Sequence, residues 1–182
     1  MYNLFKRYKM NKEIKKTKVF EIVKYIIKLL NNFSIDKKEY SPNITKIQKL
    51  LYFCDAQYMV ENEGKSMFEN EFQAWNLGPV IPEIYNKYKL ISIFEIQDMK
   101  IEEDEYKNLS EKEKEIISKI IKKYGPLTAK KLIDKTHIEN GPWDKTYKKE
   151  ENQKEGIFGI YCISVIPKSD IYKYYSHNKL ID

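Results

Sequence analysis

The residue types that most often carry chemistry are scarce in this sequence, which has two cysteines, Cys54 and Cys162, and two histidines, His137 and His177. A zinc site needs three or four ligands, often at short spacings, and these four residues form no such pair. Cys54 and His137 could meet in the fold as a thiol–imidazole pair. Cys54, however, falls on the apolar face of a predicted helix, which favours a small core residue. We therefore expect no metal, no cofactor and no enzymatic activity, with a Cys54–His137 hydrolase as an alternative.

Residues 62–66 resemble the end of a phosphate-binding loop, with Gly64 followed by Lys65 and Ser66. Such a loop also needs a glycine at position 59, where this sequence has Met59, and it follows a strand rather than a helix. Without that glycine the backbone lacks the cradle that holds phosphates. We interpret Gly64 as the end of a helix.

A helix-turn-helix layout spans residues 110–137. Its second helix would turn Lys130, Lys131 and Lys135 toward DNA. Any two helices joined by a short turn produce the same pattern, so an ordinary packed hairpin with a solvated lysine face is the favoured interpretation. A DNA-binding transcriptional regulator stays open as the alternative function.

The net charge of +6 is concentrated at the N-terminus. Residues 1–18 hold seven lysines and arginines against Glu13, whereas residues 19–182 hold 26 basic and 26 acidic residues. A nucleic-acid-binding domain usually concentrates positive charge on one face, so a neutral body argues against a nucleic-acid partner. We predict a basic tail at 1–16, which is a solvated arm or reflects a start at Met10, and a single domain at 17–182.

Hydropathy and cysteine usage indicate a cytoplasmic protein. No apolar run approaches the roughly 20 residues that a membrane span needs, since Ile22 to Leu30 is interrupted by Lys24 and Lys28. The N-terminus lacks the apolar stretch of a signal peptide. The two cysteines lie far apart without a CxxC motif, which favours a reducing compartment and two free thiols.

Apolar residues at helical spacing predict two helices in the first third of the chain. The first covers Thr17 to Asn32. The second opens at residues 42–43, and we place it at the centre of the fold, with Lys46, Lys49 and Asp55 turned away from its apolar face.

The middle of the chain predicts a small sheet. Segment 66–75 carries the aromatic anchors of a short hairpin, and Gly78 and Pro79 form a tight turn after it. A short helix follows at 83–88, whose first turn tolerates a proline. Residues 91–108 are predicted to form an irregular connection.

The C-terminal half predicts further helices. Ser110 with Glu113 forms a capping box that opens one helix, and Thr128 caps the next. Segment 158–166 has strand character, and Ser169 is expected to cap a last helix. The predicted fold class is mainly α (α+β), a compact helical domain with a small antiparallel sheet or hairpin.

Two blocks of this sequence resemble the Panacea domain of SocA-like antitoxins, a phage-associated family. They are QKLLYF at 48–53 and AWNLGPVIPEIY at 74–85, in the order and separation of that family. A weaker match pairs Thr136-His137 with Gly141-Pro142-Trp143. The resemblance covers about residues 17–176.

The resemblance implies a mostly helical antitoxin that neutralises a cognate toxin protein by direct binding. In one branch of the family the antitoxin is an adaptor that presents its toxin to a protease, so a protease is a further partner that the resemblance allows. The sequence alone does not distinguish occlusion of the toxin from delivery of the toxin to a protease.

Within the resembling blocks, packing explains most residues. A partner-binding role stays open for Lys49, Tyr52, Trp75 and Tyr85, because aromatic and long basic side chains are common interface anchors. Gly78 and Pro79 form the predicted turn of the motif. Inhibition of a partner requires a complementary surface of about 800 Å² rather than a catalytic pocket.

Overall fold

A computed structural model of the protein describes residues 18–33, 40–156 and 159–181. The predicted basic tail at 1–16 lies outside the described residues. The predicted fold class is confirmed, because the described chain is mostly helical and carries two small antiparallel hairpins.

Helix α1 covers the described residues 18–33, and helix α2 runs from Ile44 to Glu61. The Asn43 side chain caps α2 by accepting a hydrogen bond from the Lys46 amide at 2.9 Å. As predicted, α2 ends just before Gly64, whose amide donates to the carbonyl of Met59.

Helix α2 lies at the centre of the fold, with neighbours on all sides. The prediction that Lys46, Lys49 and Asp55 face away from the core is wrong, since all three are buried. The reason is that α2 contacts later helices and the first hairpin around its whole circumference, so it has no face left for solvent. Its polar side chains are therefore held inside the protein.

The first hairpin pairs β1 (Gln73–Trp75) with β2 (Gly78–Val80) in antiparallel register. Its turn lies at residues 76–77, two positions before the predicted one, and Gly78 and Pro79 belong to β2. Gly78 has a φ of +96°, a left-handed value that glycine adopts at little cost, so it marks the exit of the turn rather than its apex.

The other edge of β1 is also paired. The Ala74 amide donates to the Ser164 carbonyl at 2.9 Å, and the Ile166 amide donates to the Phe72 carbonyl at 2.8 Å. The extended segment 163–166 therefore acts as a third strand beside the hairpin.

Helix α3 (Pro82–Tyr88) begins at a proline, as predicted. The expected irregular connection at 91–108 contains helix α4 (Ile93–Gln97) and a 3₁₀ helix (Glu103–Tyr106). Ser92 and Glu95 form a capping box that opens α4, the same signal that was recognised at Ser110.

Helices α5 (Glu111–Tyr124) and α6 (Ala129–Thr136) occur where the sequence predicted them, and helix α7 (Pro142–Tyr147) follows α6. Ser110 and Thr128 cap α5 and α6 with their side chains. Both α5 and α6 pack against α2.

The C-terminal part contains a second hairpin, β3 (Gln153–Gly156) with β4 (Gly159–Cys162), and helix α8 (Lys168–His177). Strand β3 was not predicted, because its polar sequence lacks apolar alternation. Helix α8 begins after Pro167 without a side-chain cap, so the prediction that Ser169 caps it is wrong. Both cysteines are free, as expected, and both are buried. None of the described helices combines the length and apolarity that crossing a membrane requires.

Candidate functional site

A groove of about 330 Å³ opens between the start of α2, the first hairpin, α3 and the end of β4. We call it the hairpin groove. The side chains that line it are mostly apolar: Ile44, Thr45, Gln48, Lys49, Trp75, Asn76, Leu77, Val80, Tyr85, Cys162 and Ile163. The fold thus brings together three of the four predicted partner-binding residues, Lys49, Trp75 and Tyr85.

The rim of the hairpin groove carries large apolar side chains in contact with solvent. Leu77 is 58% exposed and Ile163 is 44% exposed. The half-buried rings of Trp75 and Tyr85 pack edge to face beside them, with centroids 5.0 Å apart. Exposed aliphatic and aromatic groups therefore surround one depression.

Trp75 is fixed from two sides. Its indole Nε1 donates to Gln73 Oε1 at 2.8 Å, and its carbonyl accepts from Trp143 Nε1 at 2.9 Å. The aromatic side of the groove is therefore held in one orientation by hydrogen bonds to its own strand and to α7.

Gln48 holds the floor of the groove. Its amide Nε2 donates to the Ile81 carbonyl at 3.1 Å, and its Oε1 accepts from the Ile81 amide at 2.9 Å. Both groups are buried, so this pair satisfies two backbone groups that water cannot reach. Sequence reasoning missed Gln48. No local signal distinguishes it, because α2 also carries the polar residues Lys46, Lys49 and Asp55.

Lys49 lines the groove, but its ammonium group is engaged beneath β2. Its Nζ donates to the Pro79 carbonyl at 2.8 Å. A Cβ atom added to Gly78 would lie only 2.9 Å from Lys49 Cε and 2.6 Å from Thr136 Oγ1. Burial lowers the pKa of Lys49 to about 7. Glycine at position 78 is therefore required both by its φ and by the close passage of this lysine.

Tyr52 lies apart from the groove, in the core. Its ring packs edge to face on Phe72, with centroids 5.1 Å apart, and on Tyr175 at 5.9 Å. Burial raises the pKa of the Tyr52 hydroxyl well above its ordinary value. The structure thus gives Tyr52 a packing role.

The two halves of the weaker C-terminal motif meet in space. The His137 ring stacks on Trp143, with centroids 3.5 Å apart and an interplanar angle of 5°. Burial, with the nearby Lys49 charge, lowers the pKa of His137 to about 4. His137 is therefore a neutral ring in the support of the groove, and it carries no positive charge at neutral pH.

The structure does not activate Cys54. Its side chain is fully buried, and burial raises the pKa of the thiol well above its ordinary value, which disfavours the nucleophilic thiolate. Among the residues that the structure describes, no group of three His, Cys, Asp or Glu side chains could hold a metal ion.

The lysine face proposed for DNA is open to solvent. Lys130, Lys131 and Lys135 are exposed on α6, whereas Leu132 and Thr136 are buried on its other side. The buried side contacts α2 and β2.

Comparison with known proteins agrees with these motifs. The family model described as "Antitoxin SocA-like, Panacea domain" matches residues 47–144, slightly more than half of the chain. The chain is also similar to Antitoxin SocA of Caulobacter vibrioides (strain NA1000 / CB15N), with 28% identity over 106 residues, which cover 54% of this chain and 56% of that relative. The chain thus spans little more than half the length of this relative. No solved structure matches it. The extent of the family match shows that this chain belongs to the SocA-like antitoxins with a Panacea domain.

Proposed function

We propose that this protein acts in the cytoplasm as the antitoxin of a toxin–antitoxin pair and neutralises its toxin by direct contact through the hairpin groove. Membership of the SocA-like antitoxin family supports a toxin partner. The proposal needs a docking surface and no reactive group, and it agrees with the buried, unactivated thiol of Cys54.

The observation that carries the proposal is the exposed apolar rim of the groove. Leu77 and Ile163 expose large aliphatic side chains beside Trp75 and Tyr85. Apolar and aromatic side chains gathered around a pocket are typical of the few residues that supply most of the binding energy in an interface. A partner side chain that entered the groove would bury this rim.

The groove is also built to bind without rearrangement. Lys49 holds Pro79 of β2 through one hydrogen bond, and Gln48 holds Ile81, the residue that follows β2, through two more. Trp143 holds Trp75 through a fourth. A surface that is already ordered loses less conformational entropy on binding, so more of the contact energy contributes to affinity.

Leu77→Asp tests the groove, with Leu90→Asp as the matched control. Leu90 is another leucine, 90% exposed, and it does not line the groove. Each variant is co-expressed with the protein of the neighbouring gene, and growth and co-purification are measured. We expect wild type and Leu90→Asp to restore growth and retain the partner. Leu77→Asp should lose both, because a carboxylate would be buried in an apolar contact.

Retention of the partner by Leu77→Asp would show that the groove is not the contact site. If wild type neither restores growth nor retains the neighbouring protein, the antitoxin proposal itself fails for that pair.

Neutralisation can follow two routes, occlusion of the toxin or its delivery to a protease. The lifetime of the toxin separates them. With protein synthesis blocked, an adaptor shortens the half-life of the toxin in the presence of wild type, whereas an occluding antitoxin leaves it unchanged or lengthens it.

The alternative function, a DNA-binding regulator, is supported by the exposed lysines on α6. It predicts that the protein retards DNA with a steep dependence on salt concentration. It also predicts that Lys130→Glu with Lys131→Glu abolishes this DNA binding.

A further inference from the structure

The sheet formed by the first hairpin and segment 163–166 has an open edge, on the side of that segment that faces away from β1. The Ser164 carbonyl and the Ile166 amide point the other way and are bonded to the chain around β1. Main-chain groups of successive residues on extended chain point to opposite sides, so those of Ile163 and Val165 point away from β1. We call this side the outer edge.

The outer edge carries main-chain groups that are left unpaired. The amides and carbonyls of Ile163 and Val165 make no hydrogen bond to any residue that the structure describes. Ile163 is 44% exposed and Val165 is 41% exposed. Buried polar groups are nearly always paired, so unpaired groups on two such exposed residues face water. They form a template of two donors and two acceptors for another extended chain.

The outer edge is continuous with the hairpin groove. Gln73 and Val165 lie directly opposite each other, and the same antiparallel register places Ile163 opposite Trp75. Ile163 and Trp75 both line the groove. A strand added at the outer edge would lie about 4.8 Å from segment 163–166, and every second side chain of that strand would stand on the face that carries these two residues. One extended chain can therefore bond to the edge and place a side chain at the groove.

The outer edge is too short to hold a partner by itself. It is limited at one end by Cys162, which pairs with Gln153 of β3, and at the other end by Pro167, which has no amide hydrogen. Each main-chain hydrogen bond gains little net free energy, since it replaces a bond to water. Two copies of this chain paired along this edge would depend mainly on these few bonds, whereas a partner that also fills the groove buries apolar side chains.

We propose that the toxin adds an extended segment to the outer edge and places an apolar residue opposite Ile163, where its side chain enters the hairpin groove. This inference rests on the proposed function and names the mode of binding. Main-chain hydrogen bonds to an open sheet edge hold such a segment, and the pocket beside the edge selects its side chain. An α-helix could not use this edge, because its own amides and carbonyls are bonded within the helix.

The edge is tested first by amide hydrogen exchange, followed by NMR. The full chain, labelled with ¹⁵N, is measured alone and in complex with the unlabelled protein of the neighbouring gene. In the isolated chain we expect the amides of Ile163 and Val165 to exchange rapidly, while those of Ala74 and Ile166, which donate within the sheet, exchange slowly. In the complex, exchange at Val165 should slow by about tenfold or more.

Rapid exchange at Val165 in the complex would refute strand addition. Slow exchange at Val165 in the isolated chain, increasing with protein concentration, would also refute it, because a second copy of this chain would then occupy the edge.

The second test removes one outward donor and leaves the bonds to β1 in place. Val165→Pro deletes the amide hydrogen of residue 165, and proline is compatible with extended chain at a sheet edge. The comparison variant, Val165→Thr, keeps that hydrogen and has nearly the same shape. We expect the Kd of Val165→Pro for the neighbouring gene's protein to exceed that of Val165→Thr by about tenfold or more, because a partner carbonyl loses its donor inside the contact.

Slow exchange of the Ala74 and Ile166 amides in Val165→Pro checks that segment 163–166 still pairs with β1. If that pairing is lost, the exchange measurement on wild type decides alone. Equal Kd values for the two variants, with Leu77→Asp still abolishing binding, would overturn this inference and leave the proposed function intact. If wild type binds no neighbouring protein, the proposed function and this inference both fail for that pair.

Discussion

Gln48 shows how one buried polar residue can fix the floor of a groove. Its side-chain amide replaces a strand partner for Ile81, since it both donates to and accepts from the backbone of that residue. An apolar residue of similar size would fill the same space but would leave the Ile81 amide buried without an acceptor, while the Ile81 carbonyl would keep only the amide of Tyr85. The shape of the groove floor therefore depends on hydrogen bonding as much as on packing.

We predict that Gln48→Leu lowers the free energy of unfolding by about 1–3 kcal/mol, because the buried Ile81 amide loses its acceptor and the Ile81 carbonyl loses one of its two donors. The matched control is Gln57→Leu, another buried position on α2, where only a bond to the Glu61 side chain is lost. Gln57→Leu should lower the free energy of unfolding by less than about 1 kcal/mol. Urea unfolding followed by circular dichroism measures both values. Equal losses in the two variants would show that the clamp on Ile81 contributes nothing specific.

At the scale of elements, hydrogen bonds between side chain and backbone join segments that are distant in sequence. Helix α7 supports the hairpin through Trp143, whose Nε1 donates to the Trp75 carbonyl and whose ring lies between His137 and Tyr147. The contact explains why the separate motifs at 74–85 and 136–143 occur together: one supplies the groove and the other supports it.

Trp143→Phe should destabilise the protein by about 2 kcal/mol, because the Trp75 carbonyl loses its donor and the smaller ring leaves space in the stack. The comparison is Trp75→Phe. Trp75→Phe removes a hydrogen bond to Gln73 at a half-buried position, so it should lower the free energy of unfolding by less than Trp143→Phe does. We also expect Trp143→Phe to weaken partner binding although Trp143 does not line the groove. Calorimetric unfolding and the Kd of the complex test this, and an unchanged Kd would limit Trp143 to stability.

The elements that could be predicted from sequence are those with local signals. Helices α5 and α6 begin at recognisable caps and continue with apolar residues at helical spacing. Helix α4 has the same capping signal but only five residues, too few for a periodic pattern. Strand β3 is polar and gains its order from pairing with β4, which no local pattern encodes.

The candidate site was predicted only in part, for a similar reason. Aromatic and basic residues in the family blocks pointed to Trp75, Tyr85 and Lys49, which the fold does gather. Ile163 could not be found this way, because its place at the groove results from the pairing of segment 163–166 with β1.

At the scale of the whole molecule, a buried ionisable group makes stability depend on pH, because its pKa differs between the folded and the unfolded protein. Lys49 is buried, and its pKa falls to about 7 in the folded protein from an ordinary value of 10.5. Between these two values the unfolded chain binds one more proton than the native state, so stability rises with pH across this range.

We therefore predict that the stability of wild type increases relative to that of Lys49→Met as the pH is raised. The difference in the free energy of unfolding should change by about 2 kcal/mol between pH 7 and pH 9. Urea unfolding of both proteins at several pH values measures it, and the shared titration of other groups cancels in the difference. Parallel curves over this range would show that Lys49 keeps its ordinary pKa.

We propose that residues 17–182 fold as one unit, although the family match ends at residue 144. The flanking parts complete the structure around α2. Segment 163–166 pairs with β1, and Tyr175 of α8 packs against Tyr52 and Phe53. On the other flank, Lys18 of α1 forms an ion pair with Glu113 of α5.

Because β1 is paired on both edges, a shortened form of this protein that lacks segment 163–166 would lose one of its strand partners. A fragment cut to the family match would leave the Phe72 carbonyl and the Ala74 amide as an open strand edge, beside aromatic rings stripped of their cover. Open edges and bare aromatic surface promote self-association. We therefore expect a fragment limited to residues 47–144 to self-associate, and we expect protein used in toxin-binding assays to need both flanks.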